Sequence, residues 1–321
     1  MLNNNFNPSA SPFGGQPVSA ATGRGFNPFE KQGSPEQSKG VSFGVFLLGA
    51  AILFLTACNL EQDIELELPA YEARTVVESY LEPGKPFTLL LTRSDGFFAP
   101  FGEINGEYLE NLLYDGAEVR IRYGDEEVVL ENQTVFDPVE FEVFNYASSE
   151  RVPADNPGPY FLDITTVTGE RITAETVIPA RIEPDSIVVE FAEGDTLARL
   201  LTYFSDPDPE TDNYFRRLLY YNVVDSLEQD FTATDDFVDG DSPIVFGSGY
   251  DLPEGDSYLS ILYHITPEYY AYLNSVDNAV SSNGNPFGAP GIILSNVKGE
   301  ENPLGIFTGL DGEVVTTEVR R

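Results

Sequence analysis

The chain of 321 residues carries 53 Asp and Glu against 17 Lys and Arg, a net charge of −36, with 41% apolar residues and 12% aromatic ones. That acidity repels phosphate backbones and anionic lipid surfaces, which excludes nucleic acid as a partner and disfavours lying flat on a membrane. A single Cys excludes an intrachain disulfide, and a single His with no second Cys excludes His/Cys zinc sites and Cys-His catalysis.

Residues 1–40 are polar, low in complexity and rich in Gly, Pro, Asn and Ser. They read as a disordered lead or as the product of a mis-assigned start. Residues 41–57 read as a secretory signal. Lys39 precedes the uncharged run VFLLGAAILFL from Val45 to Leu55, and small residues end it. The ending Leu55-Thr56-Ala57-Cys58 resembles the bacterial lipobox. That resemblance implies that the Cys58 thiol receives a diacylglycerol, and that cleavage before Cys58 frees an amine for a further acyl chain. Each buried methylene contributes about 0.8 kcal/mol, so two or more acyl chains hold a protein stably to a bilayer. The competing reading is a membrane-spanning helix, but 41–57 lies at the short end of the workable range of ~17–25 residues. The position of the only Cys decides for the lipoprotein. Residues 58–73 form an acidic tether, with Glu61, Asp63, Glu65 and Glu67 close behind the anchor. Such a run is similar to the surface-export signal of Bacteroidetes lipoproteins, which implies an outer-membrane protein displayed outward. Read without that resemblance, it is a solvated tether.

From residue 74 the pattern has period two. Thr75–Leu81 and Phe87–Arg93 read as strands around the turn Glu82-Pro83-Gly84-Lys85. Glu118–Tyr123 sets Val119, Ile121 and Tyr123 on one face and Glu118, Arg120 and Arg122 on the other, a half-buried antiparallel strand. Gly124-Asp125 turns it into Val128–Glu131. Tyr160–Val167 and Arg171–Ile178 make a further hairpin. The whole is an all-β, mainly antiparallel chain, with an immunoglobulin-like β-sandwich expected over 74–182. Pro179–Pro184 reads as a junction to a second β-rich domain over 183–321. Strands are expected there at Ile187–Phe191, Tyr214–Val224, Tyr258–Ile265, Gly291–Val297 and Glu313–Val319. One helix is expected near 267–280, where Thr266-Pro267 supplies an N-cap and a first-turn proline. Its apolar face would hold Tyr269, Leu273, Val276 and Val280.

Several segments in this order resemble the DUF4249 family of Bacteroidetes outer-membrane lipoproteins. They are Thr75-Val76-Val77-Glu78, Gly116-Ala117-Glu118-Val119, Gly158-Pro159-Tyr160-Phe161-Leu162 and Thr173–Pro179 with Asp185-Ser186-Ile187. Asp212-Asn213-Tyr214-Phe215, Ser295–Gly299 and Leu304-Gly305-Ile306-Phe307 follow. The resemblance covers nearly all of the chain after Cys58. It implies a location and a neighbour, a TonB-dependent outer-membrane receptor, and no chemistry.

His264, in the strand YLSILYHI, shares a face with Tyr258, Ser260 and Leu262 and reads as a packed strand residue. After Cys58 no nucleophile-elbow G-x-S-x-G occurs, and Phe246-Gly247-Ser248-Gly249 lacks that spacing. Asp206-Pro207-Asp208-Pro209-Glu210-Thr211-Asp212 alternates carboxylates as some Ca²⁺ loops do. An EF-hand would need Gly and Glu where Thr211 and Arg217 stand, so a solvated turn is expected and no cofactor is assigned. Asp235, Asp236, Asp239 and Asp241 are a similar case. Tyr269, Tyr270 and Tyr272, with Tyr220 and Tyr221, are candidates for stacking on sugars or peptides. No catalytic residue is expected, and lipidation at Cys58 is the one assigned site. The sequence therefore points to a non-enzymatic surface lipoprotein that assists a TonB-dependent receptor, its ligand open. The alternatives are a carboxylate- or calcium-dependent hydrolase and an adhesin-like structural module.

Overall fold

Strand β1 (Thr75–Leu81) buries every second residue, and Val77, Ser79 and Leu81 are fully enclosed. β2 (Pro86–Arg93) returns antiparallel to it after a turn at Gly84, burying Phe87, Leu89 and Leu91. These strands belong to a computed structural model that describes residues 72–94, 112–137, 142–194, 196–224, 226–236, 243–282 and 291–321. The signal segment, Cys58, the acidic tether, Asp239 and Asp241 lie outside the described residues.

Next come β3 (Glu118–Tyr123), β4 (Glu126–Asp137), β5 (Glu142–Arg151), β6 (Tyr160–Thr165) and β7 (Arg171–Thr176). A late strand, β15 (Leu304–Gly309), runs parallel to β1 and completes an eight-stranded order β15-β1-β2-β5-β4-β3-β6-β7. All eight strands send side chains into one core, among them Val77, Phe87, Ile121, Leu130, Tyr146, Leu162, Ile172 and Phe307. Burying such a side chain contributes about 1.5–3 kcal/mol.

Two strands change partners along their length. The later half of β2 pairs with β1, and its earlier half pairs with β5. Likewise β4 pairs first with β3 and then, past an irregularity at Asn132/Val135, with β5. Strands that switch in this way turn corners and let one sheet wrap its own core. A corner leaves backbone groups without a ladder partner, and a side-chain amide fills this one. Asn145 Oδ1 accepts the Leu91 N–H at 2.8 Å, and its Nδ2 donates to Leu91 O at 3.0 Å. Asn296 does the same for β15, accepting the Phe307 N–H at 3.0 Å and donating to Phe307 O at 2.7 Å. Buried peptide groups must be paired, and these two amides stand in for a missing strand.

The remaining strands make a second layered core. β10 (Tyr214–Tyr221) lies between β11 (Ser226–Thr234) and β14 (Ser257–Ile265), with β16 (Gly312–Glu318) beyond β14. Facing them, β9 (Leu197–Phe204) pairs with β8 (Ser186–Phe191), β12 (Ile244–Gly247) and β13 (Leu252–Pro253). Phe204, Phe215, Phe246 and Leu262 fill one end between the layers, and Leu200, Leu219, Tyr258 and Val319 fill the other. Arg217 is fully buried here. It donates to Phe246 O at 3.2 Å and to Gln229 Oε1, and burial lowers its pKa to about 10.

Among the described residues there is one named helix, α1 (Pro267–Ser282). Thr266 Oγ1 caps it by accepting the Tyr269 N–H at 3.2 Å. Its inner face runs through Tyr269, Tyr272, Leu273 and Ser275, whereas Val280, expected inside, is 59% exposed. No helix of the described residues is long and apolar enough to cross a membrane. The strand expected over Gly291–Val297 is instead irregular, with Leu294 N–H held by Ser275 Oγ at 2.9 Å.

Candidate functional site: a tyrosine-walled cleft

Strand alternation places a second set of side chains outside each core, and these meet. On β1 the outward residues include Glu78 and Tyr80, and on β10 they are Tyr214, Arg216, Leu218 and Tyr220. Tyr269, Tyr272 and Leu273 of α1 pack against them, together with Ile306 and Leu310. A cleft of about 570 Å³ opens above this layer. Its size falls within the ~300–1,000 Å³ typical of ligand pockets.

One wall comes from β2, β4 and β5. Phe136 and Phe144 give it aromatic surface, and Thr88, Gln133, Ser148 and Ser149 give it hydroxyl and amide groups. The other wall comes from β10, β14 and α1, through Arg216, Tyr220, Tyr263 and Tyr269. Tyr80 reaches the cleft from β1 and meets Tyr269 edge to face, ring centroids 6.0 Å apart.

The electrostatics of the floor are set by burial. Desolvation raises the Tyr269 phenol to about 12, and it pushes Tyr80 and Tyr272 well above the usual phenol range. Burial also raises the Glu78 carboxyl, partly offset by the Tyr272 hydroxyl 3.5 Å away. Arg216 loses solvation too. Its fork onto Asp230, at 2.9 and 2.7 Å, and the neighbouring phenols outweigh that loss and hold its charge firmly. Arg216 also donates to the Tyr269 hydroxyl, with its guanidinium carbon 5.6 Å from that ring's centroid. These phenols and the arginine stay un-ionised and ionised respectively through the physiological range.

The residues singled out from sequence divide between this cleft and other places. Tyr269 and Tyr220 line it, and Tyr272 supports its floor. Tyr270 packs on Tyr214 at 5.0 Å, and Tyr221 packs on Tyr258 at 5.6 Å, so both serve packing. His264 sits 5.8 Å from the Phe215 ring, and burial lowers its pKa against the pull of Asp206 and Asp235. Ser248 donates to Gly249 O at 3.0 Å and accepts the Leu200 N–H at 2.9 Å, the hydrogen bonding of a turn.

The acidic loop closes on an amide. Asp206 Oδ1, Asp208 O, Thr211 O and Asp235 Oδ2 all lie within 3.0 Å of Asn213 Nδ2. Asp235 also accepts the Asn213 N–H at 3.0 Å. Asn213 is 2% exposed and fills the position around which these oxygens turn. Among the described residues no group of three or more His, Cys, Asp or Glu is arranged to hold a metal.

Sequence reasoning missed Tyr80, Phe136, Phe144, Arg216 and Tyr263. Tyr80, Arg216 and Tyr263 are outward residues on strands whose inward set fills a core, whereas Phe136 and Phe144 lie where β4 and β5 depart from simple alternation. The available signal was an aromatic on the supposedly solvated face, most clearly in YFRRLLYY, which is apolar on both faces.

The fold and cleft thus define an all-β protein with two cores and a side-chain-lined groove between their outer faces. Residues 61–313 match DUF4249, described as a domain of unknown function, and the chain belongs to that family. No curated protein matches it. Among solved structures it is similar to dimeric latent PorU from Porphyromonas gingivalis, at 14% identity and a TM-score of 0.20. That match covers 61% of this chain and 19% of PorU, and at that TM-score it carries no argument.

Proposed function

We propose that this chain is a surface-exposed outer-membrane lipoprotein, anchored through Cys58, that captures a ligand in the tyrosine-walled cleft and assists a TonB-dependent receptor in its uptake. The cleft is the observation that carries this reading. Its walls offer ring faces, hydroxyls and amides around a floor whose phenols stay protonated and whose arginine stays charged. Ring faces beside hydroxyls and amides suit the holding of a ligand. Among the described lining residues there is no Cys or His. The lipobox and acidic tether support the anchoring, and the family resemblance supports the company. Affinity isolation of the tagged chain from detergent-solubilised outer membranes tests the reading. Co-isolation of a TonB-dependent receptor is expected, and its absence across cells grown on varied nutrients would defeat the proposal.

A further inference from the structure

The cleft's own chemistry narrows what it takes, an inference that rests on the capture reading above. Both cationic side chains in the lining are answered locally. Lys85 Nζ lies 2.9 Å from Glu82 Oε1, and Arg216 Nη2 lies 2.7 Å from Asp230 Oδ2. The described lining holds no further cation and the whole chain carries −36, so an anionic ligand meets repulsion. A cationic ligand brings donors only, whereas this lining of Thr88, Gln133, Ser148 and Ser149 offers donors and acceptors together.

Strand addition by an extended peptide is disfavoured at one of the two walls. Peptides that join a sheet do so along an edge strand, through free backbone groups. The β10 wall is the face of an interior strand, paired along its length with β11 on one side and β14 on the other. That wall therefore offers side chains and no open ladder. Its half-exposed rings supply flat apolar surface, and Phe136 is 53% exposed.

We propose that the cleft binds a neutral oligosaccharide, with Phe136, Phe144, Tyr220 and Tyr263 contacting sugar faces and the hydroxyl and amide groups bonding sugar hydroxyls. Sugars present both an apolar face of C–H groups and hydroxyls that donate and accept, the combination this lining matches.

The test uses the full chain in a non-glycosidic detergent. It is screened on an array of neutral hexose and pentose oligomers, with acidic oligosaccharides and a Lys-rich peptide beside them. Calorimetry then measures any ligand found. A neutral oligosaccharide is expected to bind in the micromolar to millimolar range, and Phe136→Ala and Tyr220→Ala should each weaken it about tenfold or more. Thermal melts of both variants should stay near wild type, because these rings lie outside the two cores. The proposal is overturned if no neutral glycan binds, if only the charged probes bind, or if both variants bind a glycan unchanged. Recovery of a receptor without glycan binding would defeat this inference alone. Failure to recover any receptor defeats the wider reading whatever the array returns.

Discussion

Asn145→Leu removes the amide that stands in for a strand beside Leu91 while keeping nearly the same volume. Four bonds go with it, the Leu91 N–H to Oδ1 at 2.8 Å and Nδ2 to Leu91 O at 3.0 Å, to Asp115 Oδ1 at 3.2 Å and to Tyr114 O at 3.5 Å. Leu91 O keeps the Tyr114 N–H at 2.9 Å, so the N–H is the group left unpaired in a fully buried place. An orphaned buried donor costs about 1–3 kcal/mol, and the lost bond to Leu91 O, the shortest of those from Nδ2, adds roughly 0.5–1.5 kcal/mol. The expected loss is therefore about 2–4 kcal/mol, partly relieved because Leu needs no hydrogen bond of its own. For a unit of this size that corresponds to a fall of roughly 4–12 °C in Tm, read by calorimetry or near-ultraviolet circular dichroism. The same segment is held from a second side. The Tyr146 hydroxyl donates to Tyr114 O at 2.9 Å and accepts the Ala117 N–H at 2.9 Å. Asn145→Leu and Tyr146→Phe should therefore be coupled by more than about 0.5 kcal/mol in a double-mutant cycle. A Tm for Asn145→Leu within a degree of wild type, or strict additivity of the pair, would refute the view that side chains plug the corner.

Gly305 has a φ of +117°, and an added Cβ would overlap the Val77 carbonyl oxygen on the adjacent parallel strand. Gly305→Ala is expected to cost several kcal/mol, about 3 or more, and a wild-type melt would contradict that close approach. Glu78 binds its proton more tightly folded than unfolded, so its contribution to stability declines as pH rises through and above the ordinary carboxyl value of 4.5. Glu78→Gln should accordingly stabilise the chain at pH 7 and have little effect near pH 4 in chemical denaturation, and a pH-independent effect would count against the buried carboxyl. Asn213→Leu leaves the Asp206 and Asp235 carboxylates and two carbonyls without their shared donor. A loss of about 2–4 kcal/mol is expected. Because the amide fills that position, the wild-type melt should not move with millimolar Ca²⁺ or chelator, and a reversible rise with Ca²⁺ would argue for an ion there.

The strands that sequence revealed are those with one face in a core and a less buried face opposite it. β1 and β3 alternate cleanly, and the expected bounds Thr75–Leu81 and Glu118–Tyr123 match the observed ones. β5 and β15 escaped notice for opposite reasons. β5, EVFNYASSER, buries Asn145, Tyr146 and Ala147 in a row where it bends past its partners, which erases the period-two signal. β15, LGIFTG, is enclosed almost throughout, so no polar side marks it as a strand. Its parallel pairing with β1 joins residues more than two hundred positions apart and leaves no local trace. The cleft suffered the same difficulty. Tyr220 and Tyr269 could be suspected from their rings alone. That Tyr80, Phe136 and Arg216 join them depends on two sheets meeting through their outer faces, which is a property of the assembled layers.

Capture at the cell surface is tested most directly by protease treatment of intact cells carrying the chain, followed by detection of an epitope placed after Arg321. Digestion of the epitope-bearing chain while periplasmic proteins stay whole is the result the proposed outward display predicts. A chain that survives intact until the outer membrane is opened would contradict it.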